Sequence, residues 1–470
     1  MFIEMPFCFT GMGIFRAWTE TVYANGSLSF PAQQSLLSGF AAFNVTLAVV
    51  LLAIAFTAKR IAPFYGKKAP VPLSGACLIA SCCLNFYSLY YPEHAALIGV
   101  PAMVAGAVGI ALIILLWSEL FGCLNPLRVG LYYAGGLVVG SLILWLFKGL
   151  AIPWLWACTC CVPIVSLACL KRAYAVLPDN ERPHVGWGSF SFPWKPIAVI
   201  ALYSLAYGLS VKTVSGITGI HSGFGALAAA VLVYSAVCFK RGTFEFSILY
   251  KIALPLLLVS LLPFRWVGGI GSAVAGFCAL ASYTLCLIVI MVILSGIVYK
   301  YGVNALWLFG IERAVRLLAV QLGITVADLA EVTAEITPLQ VSVIAAMGAS
   351  VVVATMLLLS EKQLTAPWGA VLREKIPEER EELAGKNRLG TKCYELGGQY
   401  GLTPREEEIM LLLAQGKKPA QIEKELFVAN STVKTHMKHI YQKLDIHSRA
   451  EMFELLGVGS EERATPTSLR

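Results

Sequence analysis

Charge is what this sequence has least of. Only 14% of its 470 residues are Asp, Glu, Lys or Arg, against about a quarter in a water-soluble chain. Those few sit in short loops and in the C-terminal portion, with long apolar runs between them. That distribution argues against an ordinary soluble enzyme and for a chain that crosses a membrane several times. Catalytic signatures are also missing: there is no Gly-rich phosphate loop, no HExxH and no GxSxG. The expectation is a protein that is not an enzyme and uses no cofactor or metal. No CxxC pair with a matching His or Cys pair is present although there are 13 cysteines. Most of these lie inside apolar runs and read as small packing residues. A cleavable leader is lacking too. The N-terminus, MFIEMPFCFTGMGIFRAWTETVY, has no basic start and no small-residue cleavage site, so it reads as a first, partly polar transmembrane helix.

Apolar stretches of spanning length follow at 36–58, 71–91, 95–120, 129–147 and 151–170. After a polar, proline-bearing break from Val176 come 196–216, 222–239, 247–264 and 269–299, then a weaker stretch at 303–323 and a clean one at 337–360. Each approaches the roughly 17–25 residues that a bilayer core requires, and 269–299 is long enough to tilt. The expected fold is all-α, a polytopic membrane bundle of about twelve transmembrane helices arranged six and six. It would occupy residues 1–360, with halves at about 1–172 and 195–360.

Loop charges give an orientation. With the N-terminus inside, the cytoplasmic loops hold Lys59, Arg60, Lys67, Lys68, Arg128, Lys171, Arg172, Lys240 and Arg241, while the opposite loops hold only Lys148, Lys212 and Arg265 as basic residues. By the positive-inside rule both termini are then cytoplasmic, at the inner membrane of a bacterium. The weak stretch at 303–323 matters here, because without it the C-terminus would lie outside.

Ionisable residues inside spans are costly and normally face the bundle interior or a cavity. Arg16 and Glu20 are four apart on the first stretch, as are Glu312 and Arg316 on the eleventh, with Arg313 alongside. These five are the candidate contacts for a small-molecule ligand. The alternative is that each pair neutralises itself within its helix, or snorkels. Glu119 and Lys148 read as interfacial, and Trp18, Trp117, Trp145, Trp154 and Trp156 as mostly belt anchors in lipid headgroups.

Residues 361–400 are highly charged and read as a solvated linker, and 458–470 as a disordered tail. Between them, 401–457 has the pattern of a small helical domain. Thr403, Pro404 and Glu406 form a capping box ahead of a helix that ends at Gly416. Pro419 opens a second helix with Ile422 and Leu426 inward. Ser431–Leu444 forms a third, with Val433, Met437, Ile440 and Leu444 on one face and Lys434, Thr435, Lys438 and Gln442 on the other. From Asn430 to Leu444 there is no acidic residue. A basic, outward helix after a short helix and a tight corner has the geometry that enters a DNA major groove. A protein-docking module with a solvated face fits the same pattern.

The segment LTPREEEIMLLLAQG, then QIEKELFVANSTVKTHMKHIYQKLDIHSRAE, closely resembles the LuxR/GerE-type helix-turn-helix domain. The resemblance rests on the TPRE start, the Ala-x-Gly helix end, the TVKTH core and the KL-x-x-x-SR-x-E close. It implies a four-helix domain whose recognition helix is Ser431–Leu444. Lys434, Thr435 and Lys438 would face bases of double-stranded DNA, Thr432 and His436 the backbone, and the helix from Ser448 would form the dimer surface. Three residues depart from the family pattern: Ala429 stands at the usual N-cap serine, Pro419 at the usual asparagine, and Glu423 where a small residue packs. No receiver-like acidic pocket precedes the domain, so the family's common control by phosphorylation is not expected.

The membrane region resembles a major-facilitator transporter in layout. Its loop ending in Tyr-Gly-Lys-Lys is a remnant of that family's signature without the aspartate. The function implied is a membrane-bound transcription regulator that senses a small molecule through its helical bundle. The alternative is a secondary transporter with a regulatory DNA-binding tail.

Overall fold

A computed structural model describes residues 6–23, 28–36, 39–177, 182–183, 192–214, 221–240, 246–261, 269–330, 346–351, 353, 389–414, 418–426 and 429–456. Every regular element among them is a helix. The chain divides into two units, one made of residues 1–183, 193–296 and 305–376, the other of 184–192, 297–304 and 377–470.

The first unit begins with a 3-10 turn at Phe7–Thr10. It continues with α1 (Gly11–Val22), α2 (Pro31–Gln34), α3 (Gly39–Ile61), α4 (Pro70–Tyr90), α5 (Ala95–Phe121) and α6 (Pro126–Phe147). Then come α7 (Ile152–Val176), α8 (Trp194–Val214), α9 (His221–Lys240), α10 (Ser247–Leu261), α11 (Gly269–Tyr301) and α12 (Ala305–Ala330). Among the described residues, six helices are long and apolar enough to cross a membrane: those at 41–61, 70–90, 92–121, 126–147, 152–176 and 273–299. The expected first span is not one long helix. Its twelve residues in α1 reach only about 18 Å at 1.5 Å per residue. The stretch expected as a span at 303–323 is a helix, α12, but is not among those six, and that at 337–360 lies mostly outside the described residues.

Small residues decide how these helices cross. A β-carbon on Gly13 would collide with the carbonyl oxygen of Gly136, and one on Gly140 with that of Gly13, so α1 and α6 touch backbone to backbone. Helices α8 and α12 do the same, with Gly208 against the Val320 carbonyl and Gly323 against that of Leu205. In lipid, where no hydrophobic force drives helices together, such close approach is a main source of packing energy. Elsewhere α3 lies along α12 and α6 along α9. There Gly310 meets Leu51 and Ala55, and Asn44 Nδ2 donates to Gln321 Oε1 at 3.1 Å.

Several expectations for single residues change. Trp18 and Trp117 are fully buried rather than belt anchors, whereas Trp145 and Trp154 are exposed. The Trp117 indole donates to Ser166 Oγ at 3.1 Å, and that hydroxyl donates to the Gly11 carbonyl at 2.8 Å, tying α5 and α7 to the start of α1. Glu119 is buried rather than interfacial. Its two oxygens accept the amides of Phe64 at 3.0 Å and Tyr65 at 2.8 Å, fixing the loop between α3 and α4. Among the described residues no disulfide joins the cysteines. Cys160 packs against Cys82 at 3.6 Å and Cys83 at 3.8 Å across α4 and α7.

The second unit contains α13 (Leu389–Tyr400), α14 (Pro404–Ala414), α15 (Pro419–Leu426), α16 (Asn430–Leu444) and α17 (Arg449–Leu455). Residues 361–388 lie outside the described residues. The end of the expected linker is a helix, α13, that packs on α14 and α16. Cys393 on it is buried, and the Leu402 amide returns to the Gly397 carbonyl at 2.8 Å. Among the described residues, α13 thus adds one helix ahead of the four expected in 401–457.

Candidate nucleic-acid interface and membrane polar cluster

The helical bundle is assembled around Glu406. The Thr403 hydroxyl accepts the Glu406 amide at 3.3 Å while Glu406 Oε2 accepts the Thr403 amide at 2.8 Å, the reciprocal capping box read from sequence. The same carboxylate oxygen takes the Lys443 ammonium at 2.7 Å, and Lys443 also donates to the Gly401 carbonyl at 2.9 Å. Only 4% of Glu406 is exposed. Burial alone would raise its pKa, but the Lys443 ammonium and the Thr403 amide outweigh that and hold it at about 2. One carboxylate therefore caps α14 and anchors the last turn of α16.

On α16, Val433, Ile440 and Leu444 are buried, Met437 is half-buried, and Thr432, Lys434, Thr435 and Lys438 are exposed. Lys434 and Lys438, four apart, share a face with Thr435 beside them. The Thr435 hydroxyl donates to the Ser431 carbonyl at 2.9 Å, which leaves its methyl and lone pairs outward. His436 is half-buried. It clusters with Glu406 and His439, one ligand atom of each lying within 4.8 Å of the others. The Lys443 ammonium already supplies the positive charge that Glu406 requires. Asp445, at φ 54°, ends the helix in the left-handed conformation.

The sequence departures have local explanations. Ala429 stands at the N-cap of α16 with no side-chain cap bond, and neither Asn430 nor Ser431 replaces it. Asn430 instead donates to Glu423 Oε2 at 2.8 Å, so the unusual Glu423 ties α15 to the start of α16. Pro419 occupies the first position of α15, where its fixed φ suits a helix start. A second capping box starts α17: Ser448 Oγ accepts the Glu451 amide at 3.2 Å, and Glu451 Oε2 accepts the His447 amide at 2.8 Å. Arg449 Nη2 donates to the Leu413 carbonyl at 2.6 Å and fixes α17 to α14.

In the membrane unit, both expected ion pairs form within their helices. Arg16 Nε lies 3.3 Å from Glu20 Oε1, and Arg316 Nε lies 2.9 Å from Glu312 Oε1. Arg313 Nε stands 3.6 Å from Glu312 Oε2. Glu312, Arg313 and Arg316 are buried, so they do not snorkel. A tyrosine pair that sequence reasoning missed extends the second group. Arg316 Nη1 donates to the Tyr283 hydroxyl at 2.9 Å. The Tyr283 ring stacks on Tyr207 at 4.2 Å between centroids. Residues of α8, α11 and α12 thus form one polar cluster.

The sequence profile described as "Bacterial regulatory proteins, luxR family" matches residues 401–456. Those residues are a LuxR-family helix-turn-helix domain. A LuxR-type domain binds DNA, and α16 corresponds to the recognition helix inferred from the motif. The chain is 39% identical over 77 residues to the transcriptional regulatory protein LiaR of Bacillus subtilis, a match covering 16% of this chain and 36% of LiaR. It is 46% identical over 50 residues to the nitrate/nitrite response regulator NarL of Escherichia coli K12, covering 11% of this chain and 23% of NarL. The chain therefore spans about a third or less of these relatives, and the LuxR-type domain is what they share.

For the remainder, the structure is similar to the major facilitator superfamily proton:xylose symporter XylE, with a TM-score of 0.50 and 13% identity. The match covers 78% of this chain and 95% of XylE. That likeness is one of fold. A LuxR-type domain thus follows a helical domain with a major-facilitator-like fold, and the relatives matched by the LuxR-type domain are regulators.

Proposed function

We propose that this chain is a membrane-embedded transcription regulator. The bundle, about residues 1–360, binds a small molecule through Arg16, Glu20, Glu312, Arg313 and Arg316. The charged segment 361–388 tethers the LuxR-type domain, and residues 458–470 form a tail. Both termini lie in the cytoplasm of a bacterium, the bundle sits in lipid of the inner membrane, and two LuxR-type domains pair through α17 on a two-fold site.

The observation that supports this best is the division of α16. Its apolar face is locked onto α14 by Val433, Ile440 and the Glu406–Lys443 pair, while Thr432, Lys434, Thr435 and Lys438 remain exposed together. Lys434 and Lys438 can reach guanine edges or phosphates and Thr435 a thymine methyl, with Thr432 and His436 beside the backbone.

The full chain in nanodiscs is titrated with DNA from upstream of its own and neighbouring genes, and with random DNA of equal length. Specific binding, weakened by about 1–3 kcal/mol for each base-contacting lysine changed to alanine, is the expected result. Binding no tighter than to random DNA, and unchanged in Lys434→Ala and Lys438→Ala, refutes it. The second reading, a secondary transporter with a DNA-binding tail, is favoured by the fold likeness and the buried cluster. Uptake into proteoliposomes that depends on Glu312 would establish it.

A further inference from the structure

The charges in the membrane cluster do not balance. Two guanidiniums, Arg313 and Arg316, meet one carboxylate, Glu312. Glu312 has its hydrogen-bonded partner in Arg316. Arg313 is the surplus. It is 7% exposed, its Nε is 3.6 Å from Glu312 Oε2, and that nitrogen finds no hydrogen-bond partner among the described residues.

An arginine cannot shed its proton to relieve this, because its pKa lies far above any cellular pH. An uncompensated charge in a low-dielectric interior is among the costliest features a fold can hold. The unsatisfied nitrogen of the cluster is a donor, so what completes it must accept hydrogen bonds and carry negative charge. A cationic ligand would double the imbalance, and a neutral one would leave it.

We infer that the cluster binds a single monoanionic, oxygen-bearing group, a carboxylate or a phosphodiester, seated on Arg313 beside the stacked Tyr207 and Tyr283. This rests on reading the cluster as the ligand site and adds the ligand's charge class. One negative charge brings the cluster to neutrality, and two acceptor oxygens match the planar donor fork of a guanidinium.

The test uses the full chain in phosphatidylcholine nanodiscs with benzoate as the probe. Benzamide, of the same shape and uncharged, is the control. Benzoate raises the melting temperature of the wild-type chain and of Arg313→Lys but not of Arg313→Gln, and binds at least about tenfold more tightly than benzamide. Without anion, Arg313→Gln melts no lower than wild type, because it removes a surplus charge. If the anion is a lipid headgroup, phosphatidylglycerol in the disc produces the same Arg313-dependent rise and benzoate adds nothing.

The inference is overturned if neither benzoate nor phosphatidylglycerol shifts the wild-type chain, or if benzamide shifts it equally. Should Arg313→Gln fail to fold, the benzoate and benzamide comparison on the wild-type chain decides alone. DNA retention by the same discs is scored separately, so loss of the anion effect and loss of DNA binding are distinguishable failures.

Discussion

Replacing Glu406 with glutamine tests whether one carboxylate organises the LuxR-type domain. Glutamine keeps the shape and one acceptor oxygen, but loses the charge that holds Lys443 at 2.7 Å and the Thr403 amide at 2.8 Å. The drop from a free glutamate's pKa of about 4.3 to the folded value near 2 corresponds to about 3 kcal/mol of stabilisation at neutral pH. The folded pKa is depressed, so this contribution is complete above about pH 4.3 and fades as pH falls toward about 2. Amide hydrogen exchange in the full chain reads it directly. Amides of Ile409–Ala414 in Glu406→Gln should exchange on the order of a hundredfold faster than wild type at pH 7, since each 1.36 kcal/mol is about tenfold. The difference should shrink on acidification through pH 4 to 2. Exchange within about threefold of wild type at pH 7 would refute the anchoring role, as would a difference that persists undiminished in acid.

Other changes follow from the same geometry. Ala429→Ser supplies the missing N-cap of α16 and should stabilise the domain by about 1 kcal/mol in thermal melts. Glu312→Gln leaves two buried arginines without their carboxylate and should cost the membrane unit about 3–5 kcal/mol. Tyr283→Phe removes only the Arg316 hydrogen bond and should cost about 1.5–3 kcal/mol, a ranking that melting temperatures in detergent check. Leucine at Gly13 or Gly208 drives a side chain into a facing backbone. Neither variant should elute as a monodisperse species in size-exclusion chromatography, whereas leucine at Gly223, where an added β-carbon meets nothing within 4 Å, should.

What was legible depended on whether a residue's role leaves a periodic trace. The faces of α16 were readable because apolar and basic residues alternate at helical spacing, and the capping box because its residue types have few other uses three apart. Helix α13 was not, because it lies in the segment 361–400 that read as a charged, solvated linker. The Arg16–Glu20 and Glu312–Arg316 pairs were visible as charges in apolar runs. Tyr207 and Tyr283, which extend the second pair, were not, because an aromatic in an apolar run gives no sign of its partner. Trp18 and Trp117 misled for a related reason: indole suits both a lipid interface and a packed core, and only tertiary contacts separate the two.

The energetics of the cluster bound any signal the bundle could transmit. A ligand shifts a two-state protein only by the difference in its affinity for the two states. Moving the populations from 1:99 to 99:1 takes about 5.5 kcal/mol of that difference. The cluster draws on α8, α11 and α12. A packing that moves α12 against α11 therefore also separates Arg316 from Tyr283. An anion seated on Arg313 beside the tyrosine pair would be held from both sides in one packing and from one side in the other. Breaking a desolvated ion pair costs about 3–5 kcal/mol, which approaches the requirement without reaching it. A regulator built this way should respond to ligand in graded fashion, with residual DNA binding at either extreme, unless the pairing of two domains on DNA sharpens the response.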